Sequence, residues 1–186
     1  MVPILLALVL PSQAAAQEQE RPYQSTFGVF GSIGLGGYWS DESFNGNGVS
    51  FGGAAAAFPL TWLGLEVGVD GGSHGREYTS GGRWEGSTLH LYGDVIIRFT
   101  TSRLQPYLAG GVGWLSSSTS RFVPGFKRLD GYDDSLAFNL ALGALWFVAT
   151  RWSLRPELRW VNSASDAVIQ RYYRASVGVG YHFGGR

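Results

Sequence analysis

The sequence predicts an all-β fold, an eight-stranded antiparallel up-and-down transmembrane β-barrel. Three observations lead to this prediction. The chain contains 28 Gly, and aromatic residues are as frequent as charged ones, at 15% each, a balance that favours strands over helices. Apolar and polar residues alternate with a period of two in eight segments, which is the pattern of two-faced strands. The connections between those segments are alternately short and long, as in a chain that runs up and down around a barrel.

The eight segments follow one another along most of the chain. They are placed near 25–39, 48–58, 61–72, 86–99, 104–116, 134–148, 151–163 and 172–183. The short connections are 59–60, 100–103 and 149–150, and the longer ones are 40–48, 72–84, 118–134 and 162–171. Pairing of the first segment with the last would remove the two exposed edges that an open sheet would have.

The two faces of the segments predict which solvent surrounds the barrel. In the third segment, Leu65 and Val67 alternate with Gly64 and Glu66. If the apolar faces pointed inward, as in a soluble barrel, they would crowd a lumen that eight strands barely provide. The outside would then carry runs of glycine with little charge. The reverse arrangement, with apolar side chains outside and small or polar ones inside, is typical of a membrane-spanning barrel.

The amino terminus has the pattern of a secretory signal peptide. An apolar run at residues 2–10 is followed by Pro11 and by small residues, and we expect cleavage after Ala16. The run is shorter than the roughly 20 residues of a membrane-spanning helix. No Lys or Arg precedes it, so either the amino group acts alone or the true start lies upstream. The predicted organisation is a signal peptide at 1–16, a short periplasmic lead at 17–23, the barrel at 24–183 and a tail at 184–186.

Three stretches carry a family resemblance: "PYLAGGVGW" at 106–114, "SLRPELRW" at 153–160 and "VGVGYHF" at 177–183. With them the chain resembles the small outer-membrane β-barrel proteins of Gram-negative bacteria, of the OmpA, OmpX and opacity type. The resemblance implies a monomer in the cell outer membrane, surrounded by membrane lipid and lipopolysaccharide. It also implies that the barrel-assembly machinery recognises the last strand, through Val177, Val179, Tyr181 and Phe183. Three residues follow Phe183, whereas the family pattern ends on the aromatic residue.

Charged and imidazole side chains collect on the inward face of the segments. They are Glu66, Asp70, His90, Asp94, Arg98, Arg155, Glu157, Arg159, Arg174 and His182. Because a buried unpaired charge is costly, four acids facing four arginines predict a paired network that fills and stiffens the lumen. The alternative is a narrow ion-conducting pore whose pairs rearrange as a gate.

The longest predicted loop, 118–134, is rich in basic and aromatic residues. They are Arg121, Phe122, Phe126, Lys127, Arg128 and Tyr132. Loops on a rigid scaffold are frequent recognition sites, and arginine and aromatic residues are favoured in them. We therefore expect a structural or surface-interaction role through four extracellular loops, with a ligand that the sequence does not name. The same basic side chains would alternatively contact lipopolysaccharide, or simply be solvated.

Several other functions are not expected from the sequence. The formal net charge is zero and there is no cysteine, which argues against a nucleic-acid partner and excludes disulfides and thiolate chemistry. We expect no cofactor and no metal, because Asp70, His74 and Glu77 are scattered ligands.

Some outer-membrane barrels modify lipid A, but none of His74, His90 and His182 has the Ser two residues later that the deacylase pattern requires. We expect no enzyme and no catalytic residues; a lipid-modifying barrel, with a triad drawn from different strands, is the third hypothesis.

Overall fold

Eight antiparallel β-strands make up the part of the chain that the computed structural model describes, residues 26–40, 43–77, 83–122, 128–164 and 171–184. They are β1 (Phe27–Ser40), β2 (Ser43–Ala57), β3 (Leu63–Glu77), β4 (Arg83–Arg98), β5 (Leu104–Phe122), β6 (Leu129–Phe147), β7 (Trp152–Ser163) and β8 (Arg171–Phe183). Within these ranges there is no helix with the length and apolar character that crossing a membrane requires. The predicted signal peptide, the polar lead and the last two residues lie outside them.

The sheet closes on itself. Each strand pairs with the next, and β1 pairs with β8 from Phe27 opposite Phe183 to Trp39 opposite Arg171. The prediction of an eight-stranded antiparallel up-and-down barrel is confirmed. Closure gives every strand two hydrogen-bonded neighbours over the body of the barrel, so no sheet edge faces hydrocarbon there.

The outer surface of the barrel is apolar and its interior is polar at mid-height. Val67 is 65% exposed, whereas Glu66, the preceding residue on β3, is 2% exposed. The same alternation continues around the barrel, with exposed Ile33, Phe51, Leu91, Val112, Leu140, Leu158 and Val177. An apolar surface that encircles the molecule cannot face water without aggregation. The barrel therefore spans a lipid bilayer, with the apolar faces outward as predicted.

One end of the barrel carries three short turns, and we call it the short-turn end. The turns lie at 58–62, 99–103 and 148–151. In the second turn, Thr100 Oγ1 and Ser102 Oγ both donate to the Leu104 carbonyl, at 2.8 and 2.7 Å. Exposed aromatic residues surround this end: Trp62, Phe99, Trp146, Trp152 and Phe183. Such a girdle marks the membrane interface, and short turns mark the periplasmic side of bacterial barrels.

The strands at the opposite end are longer than predicted. β5 and β6 have 19 residues each, whereas β7 has 12. The loops predicted at 40–48, 72–84 and 118–134 are wrong in extent, because more than half of each belongs to strands, whereas only residues 162, 163 and 171 of the predicted connection 162–171 are strand residues. Ser118, for example, pairs with Tyr132 in the ladder between β5 and β6. Apolar alternation is confined to the part of each strand that faces lipid, whereas the backbone pairing of β5 with β6 continues beyond that part.

Candidate functional site

The lumen contains a cluster of seven ion-paired side chains, which we call the ion cluster. Its members come from four strands: Glu66 and Asp70 on β3, Asp94 on β4, Arg155, Glu157 and Arg159 on β7, and Arg174 on β8. All seven are nearly inaccessible to solvent. Charges buried at this depth are tolerated only when their partners satisfy them, so removal of one partner would leave an uncompensated buried charge and destabilise the barrel.

Arg159 lies at the centre of the ion cluster. Its Nη1 donates to Asp94 Oδ2 at 2.6 Å and to Asn139 Oδ1 at 2.8 Å. Its Nε donates to Glu157 Oε1 at 3.0 Å, and its guanidinium lies over the Tyr92 ring, 3.9 Å from the centroid. A planar guanidinium can bind several acceptors at once in this way. Arg159 thus connects three strands through one side chain.

Arg155 forms the second connection across the lumen. It donates to both carboxylate oxygens of Glu66, at 2.5 and 2.9 Å, and to Glu157 Oε2 at 2.6 Å. Its Nε donates to the Tyr107 hydroxyl, which itself donates to Glu157 Oε2 at 2.6 Å. Bidentate, charge-assisted hydrogen bonds are among the strongest in proteins. They join β3 to β7 on the far side of the barrel.

Arg174 forms the third connection, on the side of the cluster away from the short turns. It donates to Asp70 Oδ1 and to the Ser32 hydroxyl. Gly52 leaves the space for this contact, because a Cβ there would collide with the Asp70 carboxylate. The third connection therefore joins β8 to β1 and β3, and it needs a glycine on β2.

Apolar side chains fill the lumen on both sides of the ion cluster. Toward the short-turn end, a buried group contains Phe30, Ala56, Phe58, Ile96, Tyr107, Ala109, Ala141, Leu145 and Phe147. Toward the other end, a smaller group contains Leu115, Ala137, Val161 and Tyr172. The described interior is therefore filled by side chains, with the ion cluster between two groups of residues that are mainly apolar and include some polar side chains, as eight-stranded barrels permit.

Three of the predicted interior residues lie inside the barrel but outside the ion cluster. Arg98 donates to Gln105 Oε1 at 3.1 Å and covers the Phe58 ring at 3.8 Å. His182 Nε2 lies 2.7 Å from Ser153 Oγ. His90 stacks on Tyr92 with ring centroids 5.2 Å apart. The structure thus brings seven of the ten predicted residues together in the ion cluster and places the other three elsewhere in the lumen.

The contact between Ser153 and His182 has the composition of a catalytic pair but not its setting. Ser153 is 0% exposed and His182 is 2% exposed. The imidazole lies between the rings of Phe30 and Phe147, at 5.4 and 4.6 Å. A nucleophile needs space for a substrate next to it, and packing against two phenyl rings leaves none. This pair therefore contributes to packing at the short-turn end.

Four neutral residues that the sequence did not predict also take part in the interior contacts. They are Tyr107, Gln105, Asn139 and Ser153. Each occupies an inward position of its strand, so strand parity alone would have placed it in the lumen. Because they are neutral, the charge pattern of the strands does not identify them. Within the described ranges, no group of three or more His, Asp or Glu residues is arranged to hold a metal ion.

Beyond the apolar belt, β4, β5 and β6 continue as a sheet that we call the projecting sheet. It runs from Leu89 opposite Ser116 to Arg83 opposite Phe122 between β4 and β5. Between β5 and β6 it runs from Ser116 opposite Asp134 to Arg121 opposite Leu129. The pairing of β6 with β7, by contrast, ends at Ala137 opposite Ser163. The wall formed by β4, β5 and β6 therefore extends further from the short-turn end than the wall formed by β7.

The outward face of the projecting sheet is covered with hydroxyl and carboxylate groups. The Ser87 and Ser118 hydroxyls lie 2.8 Å apart, and Tyr132 donates to Asp134 at 3.0 Å. Ser120 and Arg128 donate to Asp130 Oδ1, at 2.7 and 2.6 Å. These hydrogen bonds hold the pKa of the Asp130 carboxyl below its usual value, because they favour the ionised form.

The residues predicted as loop contacts have different environments. Arg121, Phe122, Arg128 and Tyr132 are exposed on or beside the projecting sheet, and Tyr132 is 72% exposed. Arg128 also stacks on Phe122, 5.1 Å from the ring centroid, so its guanidinium already has neighbours. Phe126 and Lys127 lie outside the described residues.

The outer edge of β6 in the projecting sheet pairs with no other strand within the described ranges. Ala164 N donates to the Leu136 carbonyl at 2.8 Å, so the peptide groups of Leu136 point toward β7. Alternation along a strand then directs the peptide groups of Asp130, Tyr132 and Asp134 to the same side. Because β7 stops short of them, these groups form an edge that can accept another strand.

The residues predicted to act in assembly line the lipid-facing side of β8. Val177 and Val179 are exposed. The Phe183 ring lies 5.7 Å from that of Phe27 on β1 and 4.8 Å from that of Tyr181. They therefore form one continuous apolar stripe at the closing seam of the barrel.

A closed barrel with an apolar exterior, a packed ionic interior and short turns at one end defines a small membrane-spanning β-barrel protein. A family model described as "Outer membrane protein beta-barrel domain" matches residues 2–183. The chain belongs to this family of outer-membrane barrels.

Individual relatives agree with this assignment. Outer membrane protein A of Yersinia pseudotuberculosis is 35% identical over 79 residues, which is 40% of this chain and 22% of that protein. The chain thus spans less than a quarter of the length of that relative. Among solved structures, Neisserial surface protein A has 18% identity and a TM-score of 0.60, over 86% of this chain and 98% of its own.

The attachment invasion locus protein Ail of Yersinia pestis, crystallised with the heparin analogue sucrose octasulfate, is similar to the same degree. It has 14% identity and a TM-score of 0.61, over 84% of this chain and 99% of its own. At these identities the two structures show a shared fold, and the fold leaves the function open.

Proposed function

We propose that the protein is a monomeric scaffold in the outer membrane that makes contacts at the cell surface through the projecting sheet. The observation that carries this proposal is the edge of β6 at Asp130, Tyr132 and Asp134, which stands above the lipid belt and beyond the last pair of β6 with β7. Export would depend on residues 1–16, and the short-turn end would face the periplasm. Membrane lipid and lipopolysaccharide would surround the belt.

The filled lumen favours a scaffold over the pore that the interior charges also suggest. An ion crossing the barrel would have to separate the group around Phe58 and Phe147, then the Arg159 contacts, then the group around Leu115 and Tyr172. Breaking one buried ion pair costs several kcal/mol. We therefore place the function of the protein on its outer surface and not in its interior.

The partner that best fits the edge is an extended protein segment. A strand that adds to β6 would obtain main-chain hydrogen bonds from Asp130, Tyr132 and Asp134, as in other cases of strand addition. The neighbouring carboxylates favour a segment that carries basic residues. A sulfated sugar, such as the one bound to Ail, is a less suitable partner for this face because the exposed Asp134 carboxylate beside the edge would repel it.

The proposed role involves no catalysis. The buried contact between Ser153 and His182 lies at the short-turn end, far from the projecting sheet. The stripe of Val177, Val179, Tyr181 and Phe183 is proposed as the surface that the barrel-assembly machinery reads. Neither role requires a cofactor.

A cell-adhesion experiment with paired variants tests the proposal. Tyr132→Pro removes a peptide N–H on the β6 edge and leaves the pairing with β5 intact, since that N–H points away from β5. Tyr132→Ala removes the side chain and keeps the N–H. Cells that display each variant would be applied to surfaces coated with immobilised serum proteins or with purified lipopolysaccharide, and retention measured.

We expect wild-type cells to be retained on serum proteins, Tyr132→Ala cells to retain most of this adhesion, and Tyr132→Pro cells to lose it. Equal retention of wild-type cells and cells without the barrel would overturn the proposed function. Retention only on lipopolysaccharide would replace the protein segment with a glycolipid partner.

A further inference from the structure

The lipid-facing wall formed by β6, β7, β8 and β1 contains a depression, which we call the belt groove. Its volume is about 460 Å³, within the range of about 300–1,000 Å³ that is usual for ligand sites. Elsewhere in the belt, most outward positions carry Leu, Val, Ile or Phe. In the belt groove they carry the compact side chains of Ala144, Pro156 and Ala175, beside the larger Leu158 and Val177. The groove is therefore a local loss of side-chain volume in an otherwise full apolar surface.

Pro156 also interrupts the strand pairing beneath the belt groove. The ladder between β6 and β7 stops after Gly143 and resumes at Trp146, and the register on both sides places Pro156 opposite Ala144. Even-numbered residues of β6 direct their peptide groups toward β7, as Leu136 does. Proline has no N–H to donate to the Ala144 carbonyl. The wall thus lacks both a ladder hydrogen bond and large side chains at the same place.

Two arginines lie at the short-turn end of the same wall. The three short turns contain two charged residues, Arg103 and Arg151, and no Asp or Glu. Arg151 Nη1 donates to the Tyr181 hydroxyl on β8 at 3.3 Å, and Arg103 Nε donates to the Phe147 carbonyl on β6 at 2.8 Å. Both arginines are exposed, so other N–H groups of each guanidinium remain for an outside partner at the membrane interface.

We propose that the belt groove and the two arginines bind one anionic phospholipid from the leaflet at the short-turn end. Its phosphate accepts hydrogen bonds from Arg103 and Arg151, and one of its acyl chains lies in the groove. Pro156 is four residues from Trp152 of the aromatic girdle. This places it about 10 Å into the hydrocarbon, at a rise of about 3.4 Å per residue and a tilt of about 40°. The hydrocarbon of one leaflet is about 15 Å deep, so a chain that starts at the arginines reaches the groove.

The chemistry of both parts of the site fits this ligand. A planar guanidinium binds a phosphate through two N–H groups at once, and basic side chains at a membrane surface attract anionic lipids. The outward side chains that line the groove are all apolar, so hydrocarbon is favoured there over water. The site lies at the opposite end of the barrel from the projecting sheet, and it is independent of the contacts proposed for that sheet.

A second copy of the chain fits the groove less well. Two barrels that pack through the same wall in one membrane would be related by an axis along the membrane normal. Their short-turn ends would then lie side by side, and Arg103 and Arg151 of one copy would approach those of the other. Four like charges at one interface repel one another, whereas a phosphate between two arginines is attracted to both.

Lipid retention by the purified barrel tests the proposal. The protein is inserted into vesicles with equal amounts of phosphatidylglycerol and phosphatidylcholine and released into mild detergent, and its bound lipids are counted by native mass spectrometry. Arg103→Gln with Arg151→Gln removes both positive charges; Arg128→Gln, an exposed arginine at the other end, is the control. Ala175→Leu fills the groove; Ala55→Leu is its control, because Ala55 lies opposite the exposed Val67 on a different part of the wall.

We expect the wild-type barrel to retain one phosphatidylglycerol and no phosphatidylcholine. Retention should fall about tenfold in the double arginine variant, through loss of charge-assisted hydrogen bonds. It should fall as strongly in Ala175→Leu and stay at the wild-type level in both controls.

Three results would overturn the site. Equal retention of the two lipids by the wild-type barrel, a measurement that needs no variant to fold, would show bulk lipid only. Full retention in Ala175→Leu would show a headgroup contact without the groove. Pairs of barrels that separate in Ala175→Leu would assign the groove to a second copy of the chain.

Discussion

Arg159 reaches across the lumen to Asp94, with 2.6 Å between the arginine Nη1 and the aspartate Oδ2. The two residues lie on β7 and β4, which are not neighbours in the sheet. Their contact therefore holds together two walls that the backbone ladder does not join directly.

Removal of this arginine should be severely destabilising. Arg159→Met keeps the aliphatic volume but leaves Asp94 and Glu157 buried without their shared cation, so we expect a loss of about 3–5 kcal/mol. The measurement is the urea midpoint of the folded band on unheated gels. Arg128→Met is the control, because the ion pair of Arg128 with Asp130 is exposed and should contribute little. Equal midpoints for the two variants would contradict the central role of Arg159.

The packed lumen predicts that the barrel conducts no ions. The side chains on both sides of the ion cluster, such as Phe147 and Leu115, have almost no accessible surface. We expect no stepwise current when the purified protein is inserted into planar bilayers at any applied voltage. A porin under the same conditions is the positive control. Reproducible single-channel steps would show that these side chains separate and would restore the pore hypothesis.

Glycines that face inward should be less tolerant of substitution than glycines that face lipid. A Cβ at Gly143 would collide with the Tyr107 hydroxyl, whereas nothing lies within 4 Å of a Cβ at Gly31. Gly143→Ala should therefore cost about 1–3 kcal/mol through overpacking, and Gly31→Ala should change stability little. Refolding yield and unfolding midpoints in detergent micelles measure both. A larger loss in Gly31→Ala would mean that the faces are assigned wrongly.

The closing strand provides a test of the assembly proposal. Phe183→Ser and Phe99→Ser each remove an exposed aromatic ring at the short-turn end, but only Phe183 belongs to β8. If the assembly machinery reads the stripe on β8, Phe183→Ser should lower the amount of inserted barrel in cells several-fold more than Phe99→Ser. Spontaneous refolding of the two purified variants in detergent should be similar. Equal insertion in cells would remove Phe183 from the recognition stripe.

Strand alternation was sufficient to predict the number of strands, their closure and the lipid-facing side. These properties are local, because a residue such as Val67 differs from Glu66 in the sequence itself. The lengths of β5 and β6 were not predictable in the same way. Beyond the lipid, residues such as Ser118 and Tyr132 have polar surroundings on both faces of the sheet. Apolar alternation is then no longer needed, so a paired strand and a loop have the same composition.

The pairing within the lumen was the least predictable part of the candidate site. Strand parity places Glu66 and Arg155 inside, but their contact joins β3 to β7 and depends on the tilt and stagger of the whole barrel. The same dependence separates Arg98 from the ion cluster and gives it Gln105 instead. Neutral participants such as Tyr107 could be recognised only after the charged groups had been placed.

The three arginine connections also have a mechanical consequence. The surrounding lipid exerts lateral pressure on a membrane barrel. A barrel with an empty lumen can become oval in cross-section while the pairing between its strands stays intact. Arg155 and Arg159 act as cross-braces between opposite walls, and Arg174 braces a third direction. Any flattening must stretch at least one brace, so the cross-section stays round while the lipid around it changes in thickness or pressure.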